Sequence, residues 1–173
     1  MSNNSNVNIV EREVFSRILP WIKEKEIIAL NGPRQSGKTT LLNKIKEMLP
    51  RNETVYISFE NNQSLASFSA SPKEFISAYL HKNNKVYFLF DEFQYVKNGG
   101  KILKELYDTF PQAKFIITGS ASLAIREIAS ALVGRVIYLN LYPFSFGESL
   151  LLQEEPLYHY WKKNNSFFRN YLE

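Results

Sequence analysis

The sequence predicts an α/β fold in three layers: a five-stranded parallel sheet with helices on both faces. Three observations carry this. Short apolar runs alternate with segments of helical periodicity along the whole chain. Several of those runs, "IIAL" and "VYFLF" among them, show no polar alternation, as in strands covered on both faces. The first run passes straight into a glycine-punctuated turn, "GPRQSGKT", which opens directly into a helical pattern.

Taken in order, Val14, Phe15, Ile18, Leu19 and Ile22 predict an amphipathic helix over Arg12–Lys25. "EIIALN" is the first strand. A second helix follows from Lys38, with Leu41, Leu42, Ile45 and Leu49 on one face and Pro50 as its stop. "TVYISFE", rich in β-branched and aromatic residues, is the second strand. Ser71-Pro72-Lys73-Glu74 has the form of a capping box with proline at the first helical position, leading a helix through Phe75, Ile76, Tyr79 and Leu80. "VYFLFDEF" is the third strand, central and covered. Gly99-Gly100 is expected to break the chain before a helix over Ile102–Phe110. "KFIITGS" is the fourth strand, Ser122–Leu132 a helix with Gly134 just past its end, and "RVIYLNL" the fifth strand. Beyond Leu141 a turn and short helix give way to an aromatic-dense segment. The expected organisation is a flexible tail over residues 1–11, a core over 12–152, and in 153–173 the start of a further region that the chain does not complete.

Composition narrows the classes. With no cysteine among 173 residues, disulfide frameworks and thiolate metal sites are excluded. No apolar run approaches the roughly 18 residues of a membrane-spanning helix. "MSNNSNVNIV" lacks the basic and apolar regions of a signal peptide, so a soluble cytoplasmic protein with no membrane partner is expected. Lysine and arginine exceed aspartate and glutamate by 21 to 17. That surplus is scattered; it permits contact with nucleic acid without demanding it, and a solvated basic surface is the plainer reading.

The chemistry concentrates in four places. Gly32, Pro33, Arg34, Gln35, Ser36, Gly37, Lys38 and Thr39 fit G-x-x-x-x-G-K-[ST], with Thr40 following in the helix. Such a loop curls so that successive N–H groups face one anion, and the helix start at Lys38 adds its positive end. Lys38 brings a mobile charge to the β- and γ-phosphates, and the Thr39 hydroxyl suits Mg²⁺. Second, Asp91 ends an apolar strand, where ligands bind in open α/β sheets, and is placed to hold Mg²⁺ with Thr39. Glu92 beside it is the candidate to activate an attacking water. Third, Thr118 and Ser120, two apart, share a face at the end of the fourth strand. They are either γ-phosphate sensors or turn chemistry for the next helix. Fourth, Arg135 stands between the last core helix and the fifth strand, either functional or a surface arginine; Arg34 within the loop is open in the same way. No N-K-x-D guanine-reading motif occurs, which favours adenine and thus ATP.

Together, "ALNGPRQSGKTTLL", "FLFDEFQ", "FIITGSAS", "LVGRVIYLNLYPFSFGE" and "FFRNYLE" resemble the prokaryotic, largely archaeal, AAA-like P-loop ATPases, from about Arg12 to the end. The loop and Asp-Glu elements are shared by many P-loop ATPases; the succession ending in "PFSFGE" is more particular. The resemblance implies ATP and Mg²⁺ as ligands, an ATPase core of three layers, and a homo-oligomer in which Arg135 reaches a neighbouring subunit's γ-phosphate. It further implies a C-terminal module, beyond this chain, for a DNA or protein partner. The alternative is an ATP-dependent switch with little turnover; a phosphotransferase fits less well, since no arginine-rich lid is evident.

Overall fold

The computed structural model describes residues 12–80, 85–120, 128, 130–153 and 155–169. All five expected strands form, within two residues of their expected ends: β1 (Ile27–Gly32), β2 (Thr54–Ser58), β3 (Val86–Asp91), β4 (Ala113–Ser120) and β5 (Val136–Asn140). They make one parallel sheet in the order β2-β3-β4-β1-β5. Parallel strands all end on one edge, so the turn after β1 and the carboxylates after β3 face the same side, one strand (β4) apart. β1 and β3 are buried at every position, which is why their sequences show no alternation.

The helices divide between the faces. α1 (Glu13–Ile18) and α2 (Lys38–Met48) pack Val14, Phe15, Ile18, Leu41, Leu42 and Ile45 against Ile28, Leu30, Leu89, Ile116 and Leu139. On the other face, α3 (Asn62–Ala70), α4 (Pro72–Ser77) and α5 (Gly99–Thr109) bring Phe68, Ile76, Leu103 and Leu106 onto an aromatic core. Phe59, Phe68, Phe90 and Phe93 are all essentially solvent-free there. Phe59 lies 5.1 Å from Phe68 and 5.2 Å from Phe90, ring centre to ring centre. Each buried phenylalanine is worth about 1.5–3 kcal/mol in apolar transfer, so this cluster fixes the corner at the end of β3. α6 (Phe146–Gln153) and α7 (Glu155–Arg169) follow the sheet and pack on one another, with the Phe146 and Trp161 rings 5.9 Å apart.

Three expectations are corrected, and one helix is added. The first helix does not run to Lys25: Pro20 has no N–H to continue the ladder, and the chain turns through a 3₁₀ segment over Leu19–Trp21. α3 was not expected at all. Ser71 is not a side-chain cap, because α3 reaches Ala70 and leaves it as the hinge before Pro72. The side-chain cap in this region is instead Asn61, which accepts from the Ser64 N–H at 3.0 Å. Gly99-Gly100 opens α5 rather than breaking the chain. The helix expected over Ser122–Leu132 lies mostly outside the described residues, as does the tail over 1–11. Among the described residues no helix is long and apolar enough to cross a membrane.

Candidate functional site

The loop between β1 and α2 is built by two glycines with different duties. At Gly32 a Cβ would stand 2.2 Å from the Leu141 carbonyl oxygen, so the side chain is excluded by the chain leaving β5. The Leu141 N–H donates to the Asn31 carbonyl at 2.6 Å in the same crossing. Gly37 has φ +88°, a left-handed conformation, and its carbonyl accepts the first bond of α2, from the Leu41 N–H at 2.9 Å. Gln35 also takes positive φ (+62°). Arg34, Gln35, Gly37, Lys38, Thr39 and Thr40, with Glu60 and Glu92 opposite, line an open cavity of about 450 Å³.

Lys38 is buried, and its Nζ donates to the Gly32 and Pro33 carbonyls at 3.2 and 3.0 Å, with Glu92 Oε1 at 3.9 Å. The ammonium is therefore folded back on its own loop, adjacent to a carboxylate. Thr39 Oγ1 donates to Asp91 Oδ2 at 2.8 Å. Thr118 Oγ1 donates to Asp91 Oδ1 and accepts from the Glu92 N–H at 3.1 Å, so one hydroxyl ties both acidic residues to β4. Ser120 lies further along β4, level with Gly32 in the register. Glu92 itself is left-handed (φ +55°), a strain of about 1–3 kcal/mol for a side-chain-bearing residue. In sequence it lies between Phe90 and Phe93, whose rings stack on each other 5.6 Å apart and anchor the turn on both sides.

Two residues at this site were not legible as such. Tyr56, read only as a strand residue, donates its hydroxyl to Asp91 Oδ2 at 2.9 Å. Burial first, then the charge of Asp91, hold its phenol above the ordinary value, so it remains a donor. Gln94 Nε2 donates to Glu92 Oε2, pinning the carboxylate expected to meet water. A residue that reaches its partner two positions away along a turn, or 35 positions away across a sheet, has no periodic signature.

The residues fit Mg²⁺. A hydroxyl and a carboxylate already within hydrogen-bond distance give an all-oxygen donor pair beside the open cavity of the glycine loop, as a hard cation sharing its shell with phosphates requires. Arg135 is not brought to this site. Its carbonyl accepts from the Ile27 N–H at the start of β1, the far end of the sheet, roughly 17 Å of strand from Gly32. Its guanidinium pairs with Asp108 at 3.1 Å.

A glycine loop from β1 into α2, two acidic residues ending β3, and β4 inserted between them define a P-loop nucleotide-binding core. Residues 24–150 match the model of an AAA-domain family, and the chain belongs to it. An uncharacterized Haemophilus influenzae protein is 31% identical over 153 residues, 82% of this chain and 38% of its own length. The uncharacterized protein MJ1637 of Methanocaldococcus jannaschii is 34% identical over 137 residues, 75% of this chain and 28% of its own. The chain thus spans well under half the length of either relative. A solved DNA replication initiation factor superposes with a TM-score of 0.51 at 16% identity, over 88% of this chain and 50% of that one, a likeness of fold alone.

Proposed function

We propose that residues 12–152 form a Mg²⁺-dependent ATPase core. The observation that carries this is the meeting of Thr39 and Asp91 at the mouth of the phosphate loop, 52 positions apart in sequence and 2.8 Å apart in space. In this reading the loop N–H groups and Lys38 hold the phosphates, Lys38 exchanging the Gly32 and Pro33 carbonyls for β- and γ-phosphate oxygens. Thr39 and Asp91 would hold the metal, which when bound would offset the charge of the phosphates. Glu92 accepts the proton of the attacking water, and Thr118 or Ser120 registers the γ-phosphate. Arg34, Gln35 and Thr40 contact the nucleotide from the cavity wall.

A second reading, an ATP-dependent switch with little turnover, is favoured by one contact. Gln94 holds the Glu92 carboxylate, and a base so held must be released before it can act. A DNA or protein partner could supply that release. Nucleotide titration and phosphate release, each with and without DNA, separate the readings. Lys38→Ala is expected to abolish Mg·ATP binding, and unchanged affinity would remove the phosphate-loop assignment. Glu92→Gln is expected to bind normally and to lose about 10²–10⁴-fold in turnover. Wild-type binding with no phosphate release under either condition favours the switch.

A further inference from the structure

Arg12 precedes α1 and lies 24 positions before Ser36 of the phosphate loop, yet it touches it. Its Nη1 donates to the Ser36 carbonyl at 2.8 Å, and the same nitrogen stands 3.3 Å from where a Cβ on Gly37 would be. Its Nη2 donates to the Tyr142 carbonyl, its Nε to Glu148 Oε1 at 2.9 Å, and its guanidinium lies 4.4 Å from the centre of the Phe144 ring. One planar cation thus joins the phosphate loop to the segment after β5 through three hydrogen bonds and a ring face. Arginine alone supplies that fork.

Glu148 is itself fixed. Its Oε2 accepts from the Ser145 N–H at 2.9 Å while its own N–H donates to Ser145 Oγ at 3.2 Å, a reciprocal capping box that starts α6. This gives "PFSFGE" a physical meaning: serine and glutamate cap α6, the first phenylalanine stacks on Arg12, and the glutamate's second oxygen anchors it. Arg12 and Glu148 are both about nine-tenths covered, so their pair is less screened than a surface bridge.

We infer that Arg12 is a positioning residue of the phosphate loop and that it latches the loop's conformation to α6. Resting on the nucleotide-binding reading above, this means that filling the loop steadies the 142–153 segment and, reciprocally, that freeing the segment weakens nucleotide binding. The link passes through the Ser36 carbonyl, whose peptide lies between the turn at Gln35 and the left-handed Gly37. A shift in that peptide changes where the neighbouring N–H groups point.

The test uses the whole chain, a non-hydrolysable ATP analogue with Mg²⁺, and three variants: Glu148→Gln, Arg12→Gln and the pair. Glutamine at 148 still caps α6 but removes the charge, so the fold is kept; circular dichroism checks it. Each single change is expected to weaken analogue binding by about three- to tenfold, and the pair by little more than the worse single, as for two ends of one link. In the wild type the analogue is expected to slow amide exchange over residues 142–153, and in Glu148→Gln to leave it unchanged. Full-strength binding by both single variants, or wild-type binding with no effect on exchange at 142–153, overturns the latch and leaves the nucleotide reading standing. A wild-type chain that does not bind the analogue overturns both.

Discussion

At the scale of single residues, the site is organised around Asp91. Three hydroxyls, from Thr39, Tyr56 and Thr118, donate to one buried carboxylate. They are not equivalent. Thr39 must turn to a metal if one binds, whereas Thr118 and Tyr56 hold the two carboxylate oxygens from opposite neighbouring strands, β4 and β2. Tyr56→Phe removes one of these restraints and almost no volume. With the carboxylate freer to rotate, the Mg²⁺ concentration giving half-maximal ATP-analogue binding should rise several-fold, within the roughly 1.5–3 kcal/mol typical of a hydrogen bond to a charged group. Affinity for the nucleotide without metal should hold. Titrating Mg²⁺ at fixed analogue measures this; an identical midpoint in Tyr56→Phe would leave Tyr56 a packing residue, and Asp91→Asn, which removes the proposed ligand itself, serves as the positive control.

At the scale of elements, what was legible follows from period and punctuation. The five strands and α2 and α5 announced themselves through apolar or β-branched runs, helical spacing and, for α2, the stop at Pro50. α3 did not: "NQSLASFSA" offers only Leu65 and Phe68 as large apolar residues, and its helix rests on the Asn61 cap and on Phe68 entering the aromatic cluster. Lys38, Thr39 and Asp91 were legible because a motif names them, while Arg12 and Glu148 meet across 136 positions, a contact that no local pattern announces. Lys114 is a similar case. In "KFIITGS" it reads as the polar start of a strand, but β4 carries it into the interior, where its amine donates to the Trp21 and Glu26 carbonyls and so fastens the link from α1 to β1. Burial, with the nearby charge of Lys85 adding to it, pushes this amine down to about 7. A neutral amine still has two N–H groups for the two carbonyls. Between about pH 7 and the unfolded value near 10.4, the unfolded chain holds the proton that the folded chain has released. Stability should therefore rise with pH across that window, with a slope approaching about 1.4 kcal/mol per pH unit. Urea unfolding at pH 7 and pH 9 should show this gain in the wild type and its loss in Lys114→Met; parallel curves for the two proteins would show that the amine stays charged when folded.

For the whole molecule the open question is whether the site is complete within one chain. The phosphate loop, the proposed metal-binding pair and the candidate base all lie on one edge of the sheet, and Arg135 lies on the other, paired with Asp108. An arginine there cannot serve the nucleotide of its own subunit, but it can serve a neighbour's if it exchanges Asp108 for a γ-phosphate. The Arg135–Asp108 pair is about a third to a half exposed, so losing it should change stability by less than about 1 kcal/mol, and a loss of activity would be separable from unfolding. Arg135→Ala is expected to leave ATP affinity intact in the monomer and to lower turnover in an assembled oligomer. Arginines supplied across an interface contribute about 10³–10⁵ in rate in related phosphoryl transfers, so even partial assembly should reveal the effect. The decisive arm is complementation. Arg135→Ala retains a sound phosphate loop, and Lys38→Ala retains a sound arginine, so a mixed assembly contains interfaces where both halves are intact. Activity recovered on mixing, with assembly confirmed by light scattering, assigns Arg135 to a shared site. A mixture as inactive as its components returns it to the surface, held by Asp108 and lying over the Tyr107 ring.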